Sequence, residues 1–409
     1  MKTRHLYLIG IFIFFALCLF LTFNKHSKSG YFNYHSEIWS DKAGYFVYLP
    51  AVFNYGFVAA DFPDSIGDKT GNGFMLDREN GKVITKYTYG VALMQAPFYL
   101  LANNLAEPLG FQKNGFSPIY HWSVNIAAVF YLLIGLVFLK KFLSLRFDQN
   151  SALLAVLAVF LSTNLYYYAI DETGMSHVYS FALFSIFLYW IQKSNYLKEQ
   201  KLWKNLIFGL LVGLIVLIRP TNVLFLSAFF FLDIKNRRVL FERLKNVVHL
   251  RRLIPVTIGV TVIVVPQLIY WNYMSGALFK YSYENEGFNW LNPQFLSVWF
   301  APDNGLFLYS PFYLVVIFAS VYMVRKKKMS GAYVLVLFLV ISYLFSSWWA
   351  WNFGCSFGSR SYVEYLAVFS IPVTYLIQRL RKTTVFVQLS FTVFLIALAV
   401  LNLTLTYAH

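Results

Sequence analysis

Hydrophobic runs recur along nearly the whole chain, and their lengths predict helices rather than strands. The first, Leu6 to Phe23, is long enough to cross a hydrocarbon core of about 30 Å at about 1.5 Å per residue. Further apolar stretches follow at Ile119 to Leu139, Ser151 to Ile170, Val178 to Ile191, Leu202 to Ile218 and Val223 to Leu232. Beyond a basic stretch, Lys235 to Arg252, come Leu253 to Tyr270, Leu306 to Val324, Tyr333 to Phe345, Tyr362 to Leu376 and Val385 to Thr404. Val91 to Ala106 is apolar too, but Gln95, Pro97, Asn103 and Asn104 interrupt it, so it reads as a helix partly sunk in the outer membrane face. The pattern predicts an all-α polytopic membrane protein of about 11 transmembrane helices, built as one domain over residues 1–409. No small-x-small cleavage site follows the first run, which predicts an uncleaved first span.

The polar stretches between these runs predict three external loops, 24–87, 273–304 and 347–361, the first of them large. In it, Tyr45, Tyr48, Leu49, Val52 and Phe53 fall at i, i+3, i+4, i+7 and i+8, the spacing of one helix face. An interfacial helix is expected there, with Asp41 at its start. Two readings of Asp41 stand on this stretch alone: Ser40 or Asp41 caps the first free amides of the helix, or the carboxylate is functional. Further on, Asn80-Gly81 between Leu76 and Ile84 is a hairpin turn signal.

Composition removes the soluble alternative. The chain is 58% hydrophobic and only 13% charged, where soluble proteins carry about 25% charged residues. The net charge of +16 would suit nucleic acid, but its distribution does not. Segments expected in the cytoplasm hold 23 of the 34 Lys and Arg, and only Asp148, Glu199, Asp233 and Glu242 among the 18 acids. That asymmetry follows the positive-inside rule and needs no nucleic-acid partner. Cys18 and Cys355 lie far apart and imply neither a disulfide framework nor a metal motif. No Gly-x-x-x-x-Gly-Lys loop, His-Glu-x-x-His helix or Gly-x-Ser-x-Gly elbow is present, which excludes the chemistries those motifs carry.

With this topology the unusual polar residues share the outer face, and ionisable groups near membrane depth are functional candidates. They include Glu37 and Asp41, Asp171 to His177, Arg219 to Asn222, Tyr281 to Trp290, Ala301 to Gly305 and Trp348 to Arg360. Arg219 ends a short apolar run, where a guanidinium suits a lipid phosphate or snorkels to the interface. His177 reads as a proton carrier, a phosphate ligand or a structural hydrogen-bond partner. The tryptophans before Arg360 read as sugar-stacking rings or as belt anchors.

The runs Ser40-Asp41 with Gly44-Tyr45 and Tyr48-Leu49-Pro50, Lys86-Tyr87 with Gly90, Met175-Ser176-His177, Arg219-Pro220-Thr221-Asn222, Tyr281-Ser282-Tyr283 with Glu286-Gly287-Phe288, Asn304-Gly305-Leu306-Phe307 and Gly354 to Arg360 keep their order across almost the whole chain. Together they resemble the GT-C superfamily of integral-membrane glycosyltransferases. They are most similar to bacterial members related to the protein mannosyltransferase and aminoarabinose transferase group. The resemblance implies an active site on the outer face of a bacterial inner membrane, with an aspartate of the first external loop as catalytic base; by position that is Asp41. Many members carry an Asp-Glu pair there, whereas Lys42 follows Asp41 here, so Glu37 stays a second candidate and a divalent cation stays open. Lys86, Tyr87, His177, Arg219, Asn222, Tyr283, Glu286, Asn304 and Arg360 are the expected substrate-binding residues. The implied partners are a polyprenyl-phosphate sugar donor, a lipid, glycan or protein acceptor, and membrane lipid. A transporter or flippase of a lipid-linked sugar is the competing expectation; it predicts midplane charges, discontinuous helices and inverted repeats.

Overall fold

The computed structural model describes residues 2–194, 196, 201–284, 286–354 and 356–409; Glu199, Asn285 and Cys355 fall outside the described residues. The chain is 70% helical, and the described residues contain one two-stranded sheet. It is an all-α membrane protein. Among the described residues five helices are long and apolar enough to cross a membrane: Leu8–Ser29, Pro118–Ser144, Leu250–Ser275, Met329–Ser346 and Val385–Ala408.

Helix α1 (Lys2–Ser29) leads into the first loop, which folds as α2 (Asp41–Phe46), α3 (Tyr48–Phe53), α4 (Ile66–Lys69) and the hairpin β1 (Met75–Asp77) with β2 (Lys82–Ile84). The interfacial helix expected from periodicity is therefore two short ones. Pro50 explains the break: it has no N–H to give the carbonyl of Phe46, so the helix cannot run through. The hairpin turns where Asn80-Gly81 predicts it, with Met75 opposite Ile84, Gly81 in the left-handed region at φ +70°, and Asp77 Oδ1 accepting from the Asn80 amide at 3.0 Å.

This loop has its own apolar core. Ile38, Phe46, Leu49, Phe62 and Phe74 pack with Tyr99 of α5 (Gly90–Leu105) and Tyr120 of α6 (Pro118–Ser144). Burying each such side chain contributes roughly 1.5–3 kcal/mol, enough to fix the loop against the helices rather than leave it in solvent.

The bundle continues through α7 (Gln149–Leu161), α8 (Leu165–Ile170), α9 (Ser176–Lys193), α10 (Leu202–Ile218), α11 (Ser227–Phe231), α12 (Arg237–Val248) and α13 (Leu250–Ser275). After these come α14 (Phe295–Phe300), α15 (Leu306–Tyr309), α16 (Phe312–Arg325), α17 (Met329–Ser346), α18 (Leu366–Leu380) and α19 (Val385–Ala408). Two stretches that read as continuous are interrupted. Between α7 and α8 the helical ladder is interrupted, and Asn402 of α19 donates to the carbonyls of Leu161 and Thr163, at 3.1 and 3.0 Å. Between α15 and α16 the interruption falls at Ser310-Pro311. Non-helical backbone at membrane depth persists where protein groups take up its polar atoms.

Helices α10 and α13 pack at close range because glycines line the seam. A Cβ at Gly209 would collide with the backbone of Val256, and one at Gly259 with Leu206 and Leu210. Gly209 and Gly213 stand four apart, the small-xxx-small spacing that lets helix backbones approach in lipid.

Candidate functional site

The loop connections at one end of the bundle enclose a cavity of about 1020 Å³. Asp41 reaches its wall from the first turn of α2. Ser40, in the left-handed region at φ +48°, turns the chain immediately before it, and the Ser40 side chain makes no capping hydrogen bond. The Asp41 carboxylate is also occupied elsewhere, which removes the capping reading. Tyr87 donates from its hydroxyl to Oδ1 at 2.5 Å, and Arg360 Nη2 lies 2.8 Å from Oδ2.

Burial works to raise the Asp41 pKa, but the Arg360 guanidinium, the Tyr87 hydroxyl and Lys86 together outweigh it and hold the carboxyl below its ordinary range. Tyr87 shifts the other way: burial, then the Asp41 charge, pushes its phenol well up, so it remains a donor. The side chain of Asp41 keeps 30% of its surface exposed, in the cavity. Glycines bring these partners in. A Cβ at Gly44 would strike the Tyr87 ring and the Gly73 carbonyl, so the loop closes on α2 only without one.

Deeper in the cavity Arg219, the residue that follows α10, meets Glu364 and His177. Its Nη1 lies 3.4 Å from Glu364 Oε1 and 3.0 Å from His177 Nδ1, and Nη2 donates to Ser361 Oγ at 3.3 Å. His177 Nδ1 is 2.9 Å from Glu364 Oε2. Glu364 is fully buried; the guanidinium compensates a carboxylate that would be very costly there alone. Lys86 Nζ sits 2.5 Å from Glu286 Oε1 and 5.3 Å from the centre of the Tyr283 ring. Two further pairs face the same space, Lys42 with Glu172 at 2.9 Å and Lys25 with Asp171 at 3.4 Å. Burial raises the Asp171 carboxyl to about 6, against the pull of Lys25.

Of the sequence-derived candidates, Asp41, Lys86, Tyr87, His177, Arg219, Tyr283, Glu286, Asn304 and Arg360 all line this cavity. Asn304 does so as a brace, its amide donating to the carbonyls of Asn352 and Gly354 at 2.9 and 2.7 Å. Trp348 and Trp349 line it as well. Glu37 and Asn222 do not. Glu37 points into the protein, where Asn125 Nδ2 lies 2.5 Å from Oε1, His121 Nδ1 2.9 Å from Oε2 and His26 Nδ1 3.3 Å from Oε1. Burial raises the Glu37 pKa, yet the histidines bring it down to about 2. Asn222 is buried and donates to Ser180 Oγ and the Ile215 carbonyl, both at 3.0 Å.

Sequence reasoning passed over Glu364 and Ser361. An acid inside the run Ser361-Tyr362-Val363-Glu364-Tyr365-Leu366 was the available signal. Both Asp41 oxygens are engaged, Glu172 and Glu286 are held by lysines, and among the described residues no three His, Cys, Asp or Glu side chains gather to hold a metal. A second groove, of about 570 Å³ and lined by residues of α16, α18 and α19 such as Phe318, Leu376 and Phe391, is wholly apolar apart from Ser390.

Compared with family models, curated proteins and solved structures, the chain matches none.

Proposed function

We propose that the protein is an inverting membrane glycosyltransferase that uses a polyprenyl-phosphate sugar. The observation that carries this reading is Asp41, an ionised carboxylate on the wall of a large cavity that also presents Arg219, Arg360 and Lys86. In the proposed reaction an acceptor hydroxyl or amine attacks the anomeric carbon. The bond from that carbon to the phosphate oxygen breaks, and its electron pair leaves with the polyprenyl phosphate. Asp41 takes the acceptor's proton as the nucleophile loses it, and the guanidinium groups stabilise the charge growing on the leaving phosphate. No step runs through a metal. Trp348 and Trp349 offer faces against which a sugar ring can stack.

The eleven-crossing topology, with the cavity on the outer face of a bacterial inner membrane, belongs to the same proposal. It is supported by the match between the apolar stretches and the helices, and by the concentration of Lys and Arg at the ends remote from the cavity. The acceptor is a lipid, glycan or protein.

The test is transfer from a polyprenyl-phosphate sugar by the protein reconstituted in liposomes. A positioned base is typically worth about 100 to 10,000-fold, so Asp41→Asn should lose that much rate while retaining its fold. A well-folded Asp41→Asn protein with full transfer would refute the assignment.

A second reading, a flippase for a lipid-linked sugar, draws on the interruptions at Ser162–Asn164 and Ser310-Pro311, since discontinuous helices are common in transporters. Counterflow of a labelled lipid-linked sugar with no glycosidic product would favour it.

A further inference from the structure

Helix α12 has no buried residue, and beyond its first turn its side chains are sorted by chemistry. Leu240, Phe241, Leu244, Val247 and Val248 fall on one stripe of the kind that faces an apolar phase. Phe241, Leu244 and Val248 are 69%, 45% and 66% exposed. Glu242, Asn246 and Val239 take the opposite pole, Arg238 and Lys245 border the stripe on one flank and Arg243 on the other, and Arg237, in the first turn, stands at the head of the stripe itself. Residues 235–252 contain seven Lys and Arg against the single acid Glu242.

The helix is fixed at its start and at its middle. Asn236 caps its start by accepting from the Val239 amide at 3.0 Å. Arg243 Nη1 donates to the carbonyls of Phe229, Phe230 and Leu232 at the end of α11, at 3.1, 2.8 and 2.8 Å. Only His249 separates α12 from α13, whose exposed Leu250, Ile254, Ile258, Val262 and Ile269 make the outward stripe of a candidate membrane span. The apolar stripe of α12 therefore runs through Leu250 into a lipid-facing surface. Trp271, near the other end of α13, lines the cavity, so α12 lies about 30 Å away along that helix axis, at the opposite membrane boundary.

A helix free in water has no reason to present Phe241, Leu244 and Val248 bare on one side. A helix lying in the plane of a leaflet does, and a basic border matches anionic headgroups. We propose that α12 is an in-plane binding helix for anionic phospholipid. Phe241, Leu244 and Val248 enter the acyl region, and Arg238 and Lys245 meet the headgroup phosphates. The proposal rests on α13 spanning the membrane and is independent of the transferase reading.

The test uses the full chain in nanodiscs of phosphatidylcholine alone or rich in phosphatidylglycerol, under limited trypsin. Cleavage at Arg237, Arg238 and Lys245 should slow by about tenfold in the anionic membrane. The exposed turn Lys326 to Lys328 is the reference and should be cut at the same rate in both. Phe241→Ala with Val248→Ala keeps helix propensity and removes only exposed side chains, so it should abolish the slowing without changing thermal stability. Equal cleavage in the two membranes, equal slowing at Lys326 to Lys328, or protection retained in the double variant would each overturn the proposal.

Discussion

Arg360 Nη2 lies 2.8 Å from Asp41 Oδ2 across 319 residues of sequence, and this contact, with Tyr87 on the other oxygen, sets the protonation of the proposed base. Arg360→Gln removes the cation that opposes the burial penalty, so the Asp41 pKa should rise. The proposed transfer uses the ionised carboxylate. The acid limb of the pH–rate profile of kcat/KM should accordingly move up by at least about one pH unit, the usual scale for a carboxylate beside an arginine. An unmoved acid limb would mean that Asp41 is not the group titrating.

Glu37 gives the opposite expectation, a stability effect without a chemical one. Its folded pKa, about 2, lies below the ordinary 4.5. The stabilisation is thus present above about pH 4.5 and is lost as pH falls toward 2. Glu37→Gln should lower stability at neutral pH by about 3 kcal/mol and flatten the loss on acidification. Its rate per folded molecule should stay near wild type, as thermal unfolding and turnover on one sample would reveal.

Asp171 carries the reverse sign. Its folded pKa, raised to about 6 by burial, means that the ionised form burdens the native state above pH 6. That burden fades as pH falls from about 6 and is gone by about pH 4. Asp171→Asn should therefore raise the melting temperature at pH 8 by a few degrees and leave it unchanged at pH 4. A lowered melting temperature at pH 8 would show that the pair with Lys25, at 3.4 Å, outweighs the cost of burial.

Gly44 tests how the site is assembled. In Gly44→Ala the new methyl group collides with the Tyr87 ring and the Gly73 carbonyl, and a forced shift in a packed region typically costs about 1–3 kcal/mol. Displacing Tyr87 should also lower transfer. Alanine at Gly81, where nothing lies within 4 Å but φ is +70°, should cost some stability and no rate.

Much of the helical order was legible because long apolar runs have few alternatives to helix. Arg219 and Arg360 were legible as cavity residues because each is a permanent charge beside an apolar run. The distinction between Glu37 and Asp41 was not. They stand four residues apart, and only the left-handed backbone at Ser40, together with partners as distant as His121 and Arg360, sends one inward and the other to the cavity. The interruption between α7 and α8 was hidden for a similar reason, since Asn402, which satisfies its carbonyls, comes from the last helix. Residues 235–252 read as a basic stretch because charge masked the apolar stripe of α12. Glu364 was absorbed into a run counted for its hydrophobicity.

The pairing of Arg219 with Glu364, Arg360 with Asp41 and Lys86 with Glu286 makes the cavity an ion exchanger. The phosphate of the proposed donor would meet cations that already hold counter-ions, and it would have to trade places with a carboxylate to bind. Small inorganic anions, which bring no other binding energy to that trade, should compete weakly. On the proposed transferase reading, a donor with a sugar and a lipid tail to anchor it would complete the trade, and a phosphate taken by Arg360 would loosen Asp41 at the moment a proton acceptor is needed.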